Sequence, residues 1–158
     1  MKLLFKQRFS WRSKYDIYDE AGKVIFFVQG EFSWMPKLHI YDAQGRPVGL
    51  VKQKAWTWLP TYEMYVGDQY VGRIQKEFSL FQPKFDIDYK GWKVAGNWME
   101  WNYSIFDMSG RSVATVSKEL WKWTDTYVID VANPDDALCA LMLVISIDAD
   151  KAARSSAQ

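Results

Sequence analysis

Between Lys2 and Val131 the apolar positions recur with a period of two, in short runs. Ile17, Ile40, Met64, Ile87, Val94, Ile105 and Ile129 each alternate with polar or aromatic neighbours. Such alternation puts one set of side chains on a buried sheet face. Twelve strands follow, at about 2–9, 14–18, 23–29, 37–41, 47–54, 60–66, 70–76, 84–89, 92–96, 101–106, 111–118 and 126–131. Several are joined by one recurring unit, an aromatic residue, Asp-x-x-Gly, then a β-branched run. It appears as Asp19-Glu20-Ala21-Gly22, Asp42-Ala43-Gln44-Gly45 and Asp107-Met108-Ser109-Gly110. Aspartate can accept from backbone donors two residues on, and glycine supplies the positive φ that closes a short hairpin loop. Gly67-Asp68 and Lys90-Gly91 are looser versions.

After Val131 the pattern changes. Asn133-Pro134-Asp135-Asp136 leads into Ala137–Ile147, where ten of eleven residues are apolar and the exception is Ser146. Asn133 is a good N-cap, Pro134 has helical φ already, and the two aspartates suit the positive end of a helix dipole. The run has no polar stripe at a 3.6 period, so the predicted helix, about 134–148, is enclosed on all sides. It is about half the length of a membrane span and has acids at both ends. Residues 148–158 turn small and polar, and 151–158 read as a disordered tail.

The two patterns explain each other. Strands about 4.8 Å apart and tilted by about 40° close, at twelve, into a cylinder about 24 Å across. About 14 Å remains inside once wall side chains are subtracted, and a helix needs about 10–12 Å. The predicted fold is mainly β (α+β): a closed antiparallel barrel of about twelve strands around one buried C-terminal helix. It forms a single domain over 1–150.

Composition adds three points. At 158 residues the chain is long enough for one substantial core, and a net charge of +1 gives no global field for nucleic acid. A single cysteine, Cys139, excludes an intramolecular disulfide framework, and in the apolar helix it reads as an inert thiol. There is no secretory signal, so a cytoplasmic location is expected, with no transmembrane segment.

Candidate chemistry is sparse. His39 is the one histidine and points away from the face of Leu38 and Ile40, so a zinc site is not expected. Ser10 and Ser33 lack an activating context for a hydrolase. The Asp-x-x-Gly loops have too few acids for calcium. Asp86 and Asp88, flanked by Lys84 and Lys90, read as a solvated charged face. No catalytic residue, metal or cofactor is assigned, and an enzyme is not expected.

The placement of base is more telling. The first fourteen residues carry Lys2, Lys6, Arg8, Arg12 and Lys14 and no acid. Residues 1–129 hold 18 bases against 14 acids, a net +4. Lys52 and Lys54 directly precede Trp56 and Trp58, and Arg73 and Lys76 follow on a nearby strand. Bases beside interfacial aromatics suit an anionic membrane surface. Lys6, Arg8, Arg12, Lys14, Lys52, Lys54 and Arg73 are therefore the candidate lipid-headgroup residues. The plainer reading is that a barrel needs a charged exterior and that these tryptophans pack in minor cores.

The repeated turns at 19–22, 42–45 and 107–110, the segment Lys118–Val131 and the final apolar run together resemble the LURP-one-related family in its small bacterial form. That family belongs to the tubby carboxy-terminal-like superfamily, with tubby proteins and phospholipid scramblases. The resemblance implies a twelve-stranded barrel threaded by the helix. Because tubby domains bind phosphoinositides and scramblases are membrane-associated, it also implies a non-enzymatic module, peripheral to the membrane, that binds anionic phospholipid or phosphoinositide headgroups. The alternative is a protein–protein scaffold domain with no lipid binding.

Overall fold

The computed structural model of the chain describes residues 1–6, 14–31, 33–80, 84–121 and 124–156. The strands are β1 (Lys2–Phe5), β2 (Lys14–Tyr18), β3 (Val24–Glu31), β4 (Lys37–Asp42), β5 (Pro47–Gln53), β6 (Thr61–Val66), β7 (Gln69–Glu77), β8 (Lys84–Asp88), β9 (Lys93–Asn97), β10 (Asn102–Phe106), β11 (Ser112–Trp121) and β12 (Thr124–Val131). One helix, α1 (Ala137–Ser156), ends the fold. The strands form a single antiparallel sheet in the order β8-β7-β6-β5-β4-β3-β2-β1-β12-β11-β10-β9. Only the join between β1 and β12 departs from a simple meander, with Leu3 opposite Ile129 and Phe5 opposite Tyr127.

The sheet curls around α1. Every residue from 139 to 151 is buried, about three and a half turns with no face to solvent. Wall residues point inward as the alternation requires: Ile17, Ile40, Met64, Ile105 and Ile129 are fully buried. Gly49 lets the wall approach the helix closely, since a Cβ there would lie 3.2 Å from both Leu138 and Met142. Ser146, the one polar residue of the apolar run, donates from Oγ to the Met142 carbonyl at 2.7 Å and so needs no outside partner.

Two expectations are corrected, and a third, the twelve-strand barrel, holds with one refinement. The first concerns where the helix starts. Asn133 Oδ1 accepts from the Asp135 N–H at 3.1 Å as a cap should, but Pro134–Asp136 forms a 3-10 turn and the α-helix begins at Ala137.

The second concerns where it stops. The helix does not give way to a disordered tail at 151 but continues to Ser156. Its polar residues have partners inside the barrel. The Tyr62 hydroxyl donates to Asp150 Oδ1 at 3.2 Å, Arg154 pairs with Asp150, and Lys151 Nζ donates to the Trp98 carbonyl at 2.6 Å. Lys151 also lies 4.7 Å from the Trp101 ring centroid. Asp148, Asp150 and Lys151, which resembled an exit, are buried, and Arg154, about a third exposed, pairs with Asp150.

The third concerns closure. β8 and β9 are the two ends of the sheet, and no ladder joins them among the described residues. The barrel is nearly closed, with one seam.

The meander sorts the connections between two ends. Those after β2, β4, β6, β8 and β10 are tight turns and share one end with the start of α1. Those after β3, β5, β7 and β9 lie at the other, the loop end, with the helix C-terminus. At the turn end, Asp19, Asp42 and Asp107 each accept through Oδ1 from the N–H groups two and four residues on, at 2.8–3.1 Å. Gly22, Gly45 and Gly110 close these turns at φ near +80°.

Candidate functional site: the loop end of the barrel

The loop end carries the exposed aromatic surface. The β3–β4 connection presents Trp34 and Met35, and the β5–β6 connection presents Trp56 and Trp58. The β7–β8 connection presents Phe78 and Leu80. Trp56 is 92% exposed and Trp58 fully so, while Trp34, Phe78 and Leu80 each leave 80% or more in water. The expectation that Trp56 and Trp58 pack in minor cores is therefore overturned.

Two of these loops are tied to their strands. Gln53 N donates to the Pro36 carbonyl at 3.0 Å, which ties the β3–β4 connection to the end of β5, and Lys54 N donates to the Thr61 carbonyl at 2.9 Å, which ties the β5–β6 connection to the start of β6. Ser33 Oγ donates to the Met35 carbonyl at 2.7 Å and bends its loop. Between them lies an open concavity of about 780 Å³ lined by Trp34, Met35, Lys54, Trp56, Trp58 and Pro60. Trp56 has φ +59°, a left-handed conformation that costs a side-chain-bearing residue about 1 kcal/mol or more.

Below the tips runs a row of charges fixed by strand register. Glu31 faces Lys37, Lys37 faces Lys52, Lys52 faces Glu63, Glu63 faces Arg73, and Arg73 faces Asp88. The row is balanced in sign, with one basic stretch at Lys37 and Lys52. Lys54 Nζ adds to that stretch but lies 3.8 Å from Glu63 Oε1. Glu31 Oε2 is 2.8 Å from His39 Nε2 and Oε1 is 3.7 Å from Lys37 Nζ. The His39 contact first, and then the Lys37 charge, hold the Glu31 carboxyl below its usual range.

The candidate bases thus divide. Lys54 lines the concavity with Trp56 and Trp58, and Lys52 lies two residues back at the end of β5, opposite Lys37. Arg73 lies further round the wall, 3.6 Å from Asp86, with its Nη1 donating to Gln75 at 2.5 Å. Lys14 opens β2, three strands and about 15 Å from Lys52. Lys6 lies just past the end of the next strand, β1, 6.0 Å from the Tyr18 ring centroid. Arg8 and Arg12 lie outside the described residues.

Trp34, Met35, Phe78 and Leu80 escaped the sequence reading. Their signal was present: Trp34-Met35-Pro36 and Phe78-Ser79-Leu80 are apolar segments in connections, where no core demands them.

Elsewhere, Cys139 is buried against Tyr89. Burial pushes the thiol up and pushes the Tyr89 hydroxyl up to about 12. Among the described residues, no group of three or more His, Cys, Asp or Glu is set to hold a metal, and no helix is long and apolar enough to cross a membrane.

The twelve-strand barrel with its threaded helix has known counterparts. The family model described as LURP-one-related matches residues 1–148. The chain belongs to the LURP-one-related family. A Bacillus subtilis (strain 168) relative, the uncharacterized protein YxjI, is 30% identical over 151 residues, covering 94% of this chain and 92% of that protein. The X-ray structure of an Arabidopsis thaliana protein shares the fold with a TM-score of 0.66 at 18% identity, over 94% of this chain and 90% of the other. The LURP-one-related match takes in the whole barrel and the apolar part of α1.

Proposed function

We propose that this LURP-one-related barrel is a non-enzymatic binding module that docks its loop end onto an anionic phospholipid surface. The observation that carries the reading is the gathering of Trp34, Trp56 and Trp58, all highly exposed, at one end of a rigid cylinder. Tryptophan favours the headgroup level of a bilayer, where its ring is half apolar and half wet. Trp56 is held out in a strained conformation, and such strain clusters where binding uses it. Lys37, Lys52 and Lys54 sit where headgroups would lie if the tips entered the interface. The balanced row beside them suits the diffuse field of an anionic leaflet better than one polyphosphorylated headgroup.

The test is co-sedimentation with phosphatidylcholine vesicles with and without phosphatidylglycerol. Recovery with the anionic vesicles alone, falling as salt rises, is expected. Lys52→Ala should weaken binding by about 1 kcal/mol, about fivefold. Equal recovery with both vesicles, or none with either, would move the same tips to a protein partner.

A further inference from the structure

The seam between β8 and β9 offers a different chemistry from the loop end. Both strands have five residues, and among the described residues each is paired along one edge only: β8 with β7, β9 with β10. The turn that joins them, Tyr89–Trp92, places Lys90 and Gly91 at φ +48° and +65°, and Trp92 N donates to the Tyr89 carbonyl at 2.9 Å. Two consecutive positive φ values usually launch a paired hairpin. Here no pairing follows.

The packing on either side accounts for this. The end of β8 leans against β7 so closely that a Cβ on Gly72 would lie 2.1 Å from the Asp88 carbonyl oxygen. The far end of β9 leads into Trp98, whose ring meets Phe85 edge-on at 5.0 Å and whose carbonyl holds Lys151. Trp98 thus wedges the strands apart from beneath.

The result is a groove of about 600 Å³. Ile87, Trp92 and Trp98 are buried along its floor, and Glu77, Lys84, Asp86 and Lys93 stand on its lips. The lips carry two bases and two acids, so net charge selects nothing. What remains is two facing rows of main-chain donors and acceptors, about five residues long, above an aromatic floor.

We infer that this seam takes up an extended peptide segment, which completes the barrel by pairing its backbone with β8, β9 or both. An extended main chain is the ligand whose hydrogen-bonding groups repeat at the spacing of an open strand edge. Alternate side chains of the segment turn down onto Trp92, Trp98 and Ile87, so they are small and apolar. The others face water, and the balanced lips ask for no charge there. Against a second copy, both edges are only five residues long and carry Lys84, Asp86 and Lys93, and short, charged edges are how natural sheets block edge-to-edge association. The seam lies on the barrel wall and makes no use of the lipid reading.

The test titrates the isotope-labelled protein with a blocked heptapeptide, acetyl-Lys-Thr-Val-Thr-Val-Thr-Lys-amide. A twin peptide, N-methylated at alternate residues, cannot donate along one edge. Saturable amide shifts confined to residues 84–88 and 93–97 and their neighbours, at least tenfold weaker with the twin, are expected. Absence of saturable shifts at millimolar peptide, equal binding of the twin, or shifts centred on Trp34, Trp56 and Trp58 would overturn the inference.

Discussion

Trp56 sits at φ +59° with nearly all of its ring in water, so folding gains little from it. Trp56→Gly removes the strain but gives the unfolded chain more freedom, two effects of about 1 kcal/mol each and of opposite sign. The expected outcome is a urea midpoint within about 1 kcal/mol of the parent, together with weaker binding to anionic vesicles. A variant that melts much earlier would make Trp56 a packing residue. Asp107 illustrates the opposite case, a side chain whose value is wholly structural. The Ser109 hydroxyl first, and then the Arg111 and Ser109 N–H groups, hold its carboxyl at about 2 against an ordinary 3.8. A depressed folded-state value stabilises above the unfolded pKa and is lost as pH falls. Thermal melts should therefore show the parent losing stability between about pH 4 and pH 2 relative to Asp107→Asn. The turn role of this aspartate was legible in the sequence, because Asp-x-x-Gly names both the acceptor and the left-handed closing residue. The strain at Trp56 was not, because tryptophan has no preference for the left-handed region that would mark the position in the sequence.

At the scale of elements, α1 is the instructive case. Its beginning was readable from Asn133 and Pro134 and its middle from the unbroken apolar run. Its end was not, since Asp148, Asp150, Lys151 and Arg154 look like a solvent-facing exit until Tyr62 and Trp98 are known to lie opposite. Those partners come from β6 and from the turn after β9, far away in sequence. The Asp150 carboxylate is almost fully buried, and Arg154 is its cationic partner. Arg154→Ala should cost about 2 kcal/mol in urea unfolding, less than for a fully buried pair because Arg154 is a third exposed, since it leaves the buried carboxylate with the Tyr62 hydroxyl and the charge of Lys76. A frayed segment would show no loss. The seam has the same origin: Lys90-Gly91 reads as a hairpin turn, and the wedge of Trp98 that defeats the pairing is a tertiary effect.

For the whole molecule, strand count and helix hydrophobicity constrain one another. A wall of twelve strands leaves a lumen that only something the width of a helix fills, and an all-apolar helix is soluble only inside such a wall. Leu141 is fully buried near the centre of the run. Leu141→Asp should prevent folding, since an unpaired interior charge costs several kcal/mol against a typical total of about 5–15. A soluble variant with a cooperative melt would contradict the arrangement. With the interior filled, recognition is left to the outer surface, and there the two ends differ: tight acidic turns at one, aromatic tips above lysines at the other. In the proposed binding mode the second end meets lipid. That mode is tested most directly by quenching tryptophan fluorescence with brominated phosphatidylcholine in phosphatidylglycerol vesicles. Strong quenching of the parent is expected, with its loss in a Trp34→Ser, Trp56→Ser, Trp58→Ser variant that keeps the parent's melting profile. Quenching that survives in the triple variant, or none in the parent, would contradict it.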